Sequence, residues 1–149
     1  MTGPQRLRRW VNWINLTTAT GFLVARLGGA RPRPAPEGLY VAPHYRIGFP
    51  VAGAFTLGNV VCTKHDADYV VGTAALLRHE SAHATQYAWL GPLFWPAYGI
   101  AAAYSWALTG DPGGRNAFEV WAGLTDGGYT RRPLRPWLRR AARRVGAPP

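Results

Sequence analysis

The stretch Leu76-Leu77-Arg78-His79-Glu80-Ser81-Ala82-His83-Ala84-Thr85-Gln86 holds the residues whose types and spacing could do chemistry. It contains H-E-x-x-H on a segment rich in helix formers. On a helix, residues four apart share a face, so His79 and His83 can offer imidazoles to one ion. Glu80 follows the first of them, where its carboxylate can reach a metal-bound water. Zinc would bring that water's pKa near neutrality, and the carboxylate would accept its proton during attack on a carbonyl. Competing with this reading is an ordinary helix whose histidines pair with Glu80 and Asp68.

A catalytic zinc site needs a third protein ligand. No histidine follows at the short spacing of H-E-x-x-H-x-x-G-x-x-H; position 89 is Trp89. The best candidate is Glu119, in Asn116-Ala117-Phe118-Glu119-Val120-Trp121-Ala122, 36 residues after His83. Asn116 and Glu119 also have the spacing of a capping box, which would occupy the carboxylate at a helix start. Asp111 and Asp126 are rival ligands. His44 and His65 fall in a strand-turn region and a polar loop, and read as surface residues.

Several elements must position these groups. Residues Leu39–Ala42, Tyr45–Ile47 and Ala54–Thr63 carry strand signals, cut by Pro43, Gly48, Pro50 and Gly53. Gly58-Asn59 inside the last run marks either a hairpin turn or a bulge. Asp68 or Thr73 can cap the helix that follows, and Gly91-Pro92 ends it. Tyr87–Gly110 is uncharged throughout. Its glycines and prolines favour a broken pair of buried segments over a membrane-inserted one. Asp111-Pro112-Gly113-Gly114 reads as a turn and Asn116–Leu124 as a short helix. Trp89, Trp95, Trp106 and Trp121 read as core or interface aromatics.

The His79–Glu119 pattern resembles the gluzincin-type zincin peptidases, in which a Glu on a following helix is the third ligand. Ala54-Phe55-Thr56-Leu57-Gly58-Asn59-Val60-Val61, a loop, and then Leu77–Gln86 more closely resemble a bacterial metallopeptidase domain family associated with contractile injection systems. There a strand reading A-x-T-x-G-N-x-I precedes a helix reading L-x-H-E-x-x-H-x-x-Q. The likeness covers roughly residues 54–125. It implies an α+β fold: a small zincin-like domain with a short antiparallel sheet, an active-site helix and a following helix carrying the Glu ligand. It further implies an edge strand, Ala54–Thr63, over the active-site helix, able to bind an extended peptide by strand addition. By the same likeness His79, His83 and Glu119 are zinc ligands and Glu80 the general base, while Gln86 matches the pattern without a known task. The oxyanion donor is the departure. Tyr129, flanked by Gly127-Gly128, is the candidate, with a plain surface turn as its alternative. Asp126 is a candidate to orient a ligand imidazole.

The 149 residues suit one domain, and 48% hydrophobic content excludes a wholly disordered chain. Cys62 is the only cysteine, which excludes an internal disulfide and a Cys-based zinc finger. Lys and Arg number 17 against 7 acids, a formal net charge of +10 that suggests an anionic neighbour. The expected organisation is a basic helix and linker over residues 1–36, the metallopeptidase domain over 37–130, and an arginine-rich tail over 131–149. Trp10–Ala25 reads as an amphipathic helix that packs on the domain or lies on a membrane. Its Asn and Thr content and the lack of a cleavage site argue against a signal peptide. The tail has only Trp137 as an interleaved aromatic, which argues against nucleic acid as a partner. The expectation is a cytoplasmic zinc hydrolase acting on a peptide or protein, with an anionic membrane surface as a further partner through its arginine-rich ends. The alternatives are a catalytically silent, zinc-stabilised scaffold and a basic membrane-associated protein.

Overall fold

The computed structural model describes residues 1–48, 50 and 52–144. The protein has an α+β fold, and its chain divides into two compact units, Met1–Phe94 and Trp95–Pro149.

The first unit opens with α1 (Gly3–Ile14) and α2 (Thr17–Leu27). Thr2 caps α1 through a reciprocal capping box with Gln5, and Pro4 sits in the first turn, where its missing N–H costs nothing. The single amphipathic helix expected here is two helices. Leu16 takes a left-handed conformation (φ 64°) and turns the chain between them. Both helices pack on the unit.

Four short strands follow: β1 (Arg33–Pro34), β2 (Tyr40–Ala42), β3 (Ala54–Leu57) and β4 (Val60–Thr63), in the spatial order β1-β2-β4-β3. Tyr45–Ile47 lies outside any strand. Gly58-Asn59 forms the turn of a hairpin that pairs Leu57 with Val60 and Phe55 with Cys62. The sheet is mixed, which corrects the antiparallel expectation. The hairpin's return strand, β4, inserts between β3 and β2 and so runs parallel to β2, with Val41 opposite Val61. Both faces of the sheet are covered. Val60 and Cys62 point to a cluster with Ala25, Phe22 and Tyr45, on the side of α2. Val61 points the other way, to Leu39, Val70 and Ala84. That two-residue alternation leaves β4 buried on both faces.

After β4 come α3 (Asp68–Val71) and α4 (Ala74–Leu90). Gly91 (φ 56°) and Pro92 end α4. In the second unit, α5 (Phe94–Thr109, its first residue closing the first unit), α6 (Ala117–Gly123) and α7 (Pro136–Arg144) are joined by turns. The uncharged stretch Tyr87–Gly110 therefore breaks as its glycines and prolines require. Its second half, however, is not a core helix: Ile100, Tyr104 and Trp106 on α5 are exposed, as are Trp89, Trp95 and Trp121. An apolar sequence without periodicity shows no preferred face, so the pattern could not reveal this. No described helix is long and apolar enough to cross a membrane. Part of the arginine-rich tail is α7; residues 145–149 lie outside the described residues.

Candidate metal centre

Helix α4 carries His79, Glu80 and His83 on its buried side, together with Ala84, Gln86 and Tyr87. Its Ala, Leu, Glu and Gln content favours helix, and Thr73 sits at its start without making a side-chain cap. The spacing of four places the two imidazoles side by side, with their Nε2 atoms 3.0 Å apart. The Nδ1–H of His83 donates to Gln86 Oε1 at 2.8 Å, which leaves the His83 Nε2 lone pair directed at His79. Gln86 thus acquires the task that its place in the sequence pattern did not reveal. Phe94 packs edge-on beside His83, ring centroids 6.1 Å apart, and against Tyr87, ring centroids 4.2 Å apart.

Glu80 lies next to this pair and is also buried. Its Oε2 accepts a 2.6 Å hydrogen bond from Thr56 Oγ1 on β3. Thr56 stands opposite Val61, on the sheet face turned towards α4, while its neighbour Phe55 faces Tyr45 on the other side. Strand alternation therefore puts a hydroxyl where the carboxylate needs one. The Glu80 charge adds to burial in pushing the Cys62 thiol up to about 12, with burial the larger cause.

In the second unit, Glu119 projects from the first turn of α6 and is 2% exposed. It is not a capping-box partner. Asn116 Oδ1 accepts from Phe118 N–H at 3.0 Å, and the Asn116 N–H is already donated to Gly113 O. Glu119 Oε1 instead accepts from the Tyr98 hydroxyl of α5 at 2.5 Å. Burial first, and then the Glu119 charge, raise Tyr98 far above the usual phenol range. Tyr98 also hydrogen-bonds with Tyr129. The Tyr129 ring lies against Gly113, where a Cβ would come within 2.4 Å of it. The sequence-selected Tyr129 is thus joined to Glu119 through a tyrosine that no motif marked.

His79, His83 and Glu119 form a buried group, 3%, 7% and 2% exposed, that could hold a metal ion. The donor set fits a borderline-soft divalent ion. Two ligand nitrogens at about 2.0–2.1 Å from one zinc can stand no more than about 4 Å apart, and the imidazole pair meets that limit. Of the rival ligands, Asp111 has its carboxylate engaged in its own turn. Asp111 Oδ1 accepts from the Gly113 and Gly114 N–H groups, and its Oδ2 lies 3.5 Å from Arg132. Asp126 sits in the turn after α6, its N–H bonded to Gly123 O. Asp68 is exposed at the start of α3. His44 makes a solvent-exposed pair with Asp66 at 3.2 Å, and His65 stacks on Tyr69. Compared with known proteins, the chain matches no family model, no curated protein and no solved structure.

Proposed function

We propose that the protein is a zinc-dependent hydrolase, a gluzincin-like metallopeptidase in which His79, His83 and Glu119 hold the metal and Glu80 is the general base. The observation that carries this reading is the arrangement on α4: two buried imidazoles with their Nε2 atoms 3.0 Å apart and, beside them, a buried carboxylate.

A zinc ion bound there would polarise a substrate carbonyl and make water acidic enough to deprotonate near neutral pH. The protein's own residues do the rest. Gln86 holds His83 in the tautomer that leaves Nε2 able to ligate. Thr56 anchors one oxygen of Glu80, fixing the rotamer from which the carboxylate takes a proton from water and later returns it to the leaving amine. Tyr98 holds Glu119 in place. Tyr129 is the proposed donor to the developing oxyanion, released from Tyr98 when substrate binds. Of the expected edge strand Ala54–Thr63 only β3 is outermost in the sheet, β4 being internal, and that edge position of β3 supports an extended peptide as substrate.

A second reading draws on the burial of all three ligands. Structural zinc sites are closed, whereas catalytic ones keep a position open to water. In that case the metal stabilises a binding protein. Zinc content and cleavage of a mixed peptide library, compared between wild type and Glu80→Gln, separate the two. The hydrolase reading expects metal retained and turnover lowered by about 100-fold or more. Equal cleavage by both proteins, or none by zinc-loaded wild type, favours the scaffold.

A further inference from the structure

The two N-terminal helices are anchored on one side and bare on the other. On α1, Arg8 and Asn12 point inward and are buried, and Asn12 bonds to Ala84 O of α4 at 2.8 Å. On α2 the buried positions are Thr17, Thr18, Gly21 and Ala25. The opposite faces carry Leu7, Trp10 and Ile14 at helical spacing on α1, and Leu23 and Leu27 on α2, with Leu16 at the corner between them. These six side chains are 59–76% exposed. An unpartnered apolar surface of this kind on a helix pair marks a docking site.

Charge identifies the occupant. Residues 1–36 contain six arginines and no acid. Of these, Arg6, Arg26, Arg31 and Arg33 are exposed. Leucine, isoleucine and tryptophan on one side of short helices, with exposed arginine on the same helices and just after them and no acid among residues 1–36 to repel phosphate, is the chemistry of an interfacial helix on anionic lipid. At 12 and 11 residues the helices can lie in the headgroup layer but cannot span a bilayer. The geometry points to the exposed faces of α1 and α2 as a docking surface for an anionic membrane, independent of whether the chain hydrolyses anything. Because α1 also packs on α4, docking would hold the histidine-bearing helix at a fixed position relative to the lipid.

Co-sedimentation of the full chain with vesicles tests this. The expected result is binding to phosphatidylcholine vesicles containing about 30% phosphatidylglycerol, weak binding to pure phosphatidylcholine, and a clear loss of binding from about 0.1 M to about 0.5 M salt. Trp10→Ser/Ile14→Ser and Leu23→Ser/Leu27→Ser should each lower partitioning at least about tenfold while leaving the circular dichroism unchanged. The lipid and salt comparisons on wild type stand even if a variant misfolds. Failure to bind either vesicle, equal binding to both, or variants that partition like wild type would overturn the proposal. So would a dimer, seen by light scattering, that the double variants dissolve, because the faces would then be a contact between two copies.

Discussion

His79, His83 and Glu80 were legible from sequence because a helix converts a spacing of four into side-by-side placement, and the structure needs nothing more to bring the two imidazoles together. The residues that steady them were not legible in the same way. Gln86, three positions beyond His83 and one turn away, matched the H-E-x-x-H-x-x-Q pattern, yet the pattern alone did not say that it would bond to His83 Nδ1. Tyr98 lies 21 residues from Glu119 on a different helix, inside an uncharged run where nothing singles it out. These supporting contacts make distinct predictions. Tyr98→Phe removes the hydroxyl on Glu119 and should weaken zinc binding by about 10- to 100-fold in a competition titration with a chromogenic chelator. Tyr129→Phe should leave zinc affinity close to wild type and lower turnover alone, because the role proposed for its hydroxyl is towards the oxyanion. Cys62, buried on β4 with its thiol pushed up to about 12, should resist alkylation in the folded protein and react on unfolding.

At the scale of elements, α4 is held by polar contacts as well as by packing. Arg8 of α1 donates to Ser81 O at 3.0 Å and to Ser81 Oγ at 2.5 Å, and also to Glu37 O. Asn59, in the turn of the β3–β4 hairpin, accepts from Asn12 at 3.0 Å and donates to Thr18 Oγ1 at 2.8 Å. One buried amide therefore ties α1, α2 and the hairpin together. Asn59→Ala leaves several of these groups unpaired and should cost about 1–3 kcal/mol in a urea titration. Gly58→Ala should cost at least as much, since φ is +59° and a Cβ would meet the Thr18 N at 2.4 Å. In the second unit, Asp111 organises its own turn. Burial works to raise its pKa, but the Gly114 and Gly113 N–H groups and Arg132 outweigh it, so the folded value lies below the ordinary 3.8. Its contribution is thus present above pH 3.8 and lost as pH falls through the lower folded value. Asp111→Asn should flatten that part of the acid limb of a stability-against-pH curve. The β-branched and aromatic run Ala54–Thr63 was readable as strand, with Gly58-Asn59 left open between a turn and a bulge. The insertion of β4 beside β2 was not, because strand order depends on contacts far apart in sequence.

For the whole molecule, the +10 charge divides into parts with different work. Arg8 is buried and structural, and Arg132 and Arg135 fasten the second unit through Asp111 and Trp106. Arg6 on α1, Arg26 on α2, and Arg31 and Arg33 in the chain after α2 remain exposed. Composition alone could not separate them, because a count of arginines does not say which way each points. The seven acids divide in the same manner: Glu80 and Glu119 are buried, whereas Asp66 and Asp68 are exposed. If the buried His-His-Glu group holds zinc, metal binding is folding free energy, and chelation should lower the midpoint of thermal unfolding. The most direct measurement is zinc per chain by elemental analysis after metal loading and exhaustive dialysis, in wild type, Glu80→Gln, His83→Ala and Glu119→Ala. One zinc per chain is predicted for the first two and close to none for the last two. Folded wild type without stoichiometric metal, or Glu119→Ala holding zinc as wild type does, would contradict the account.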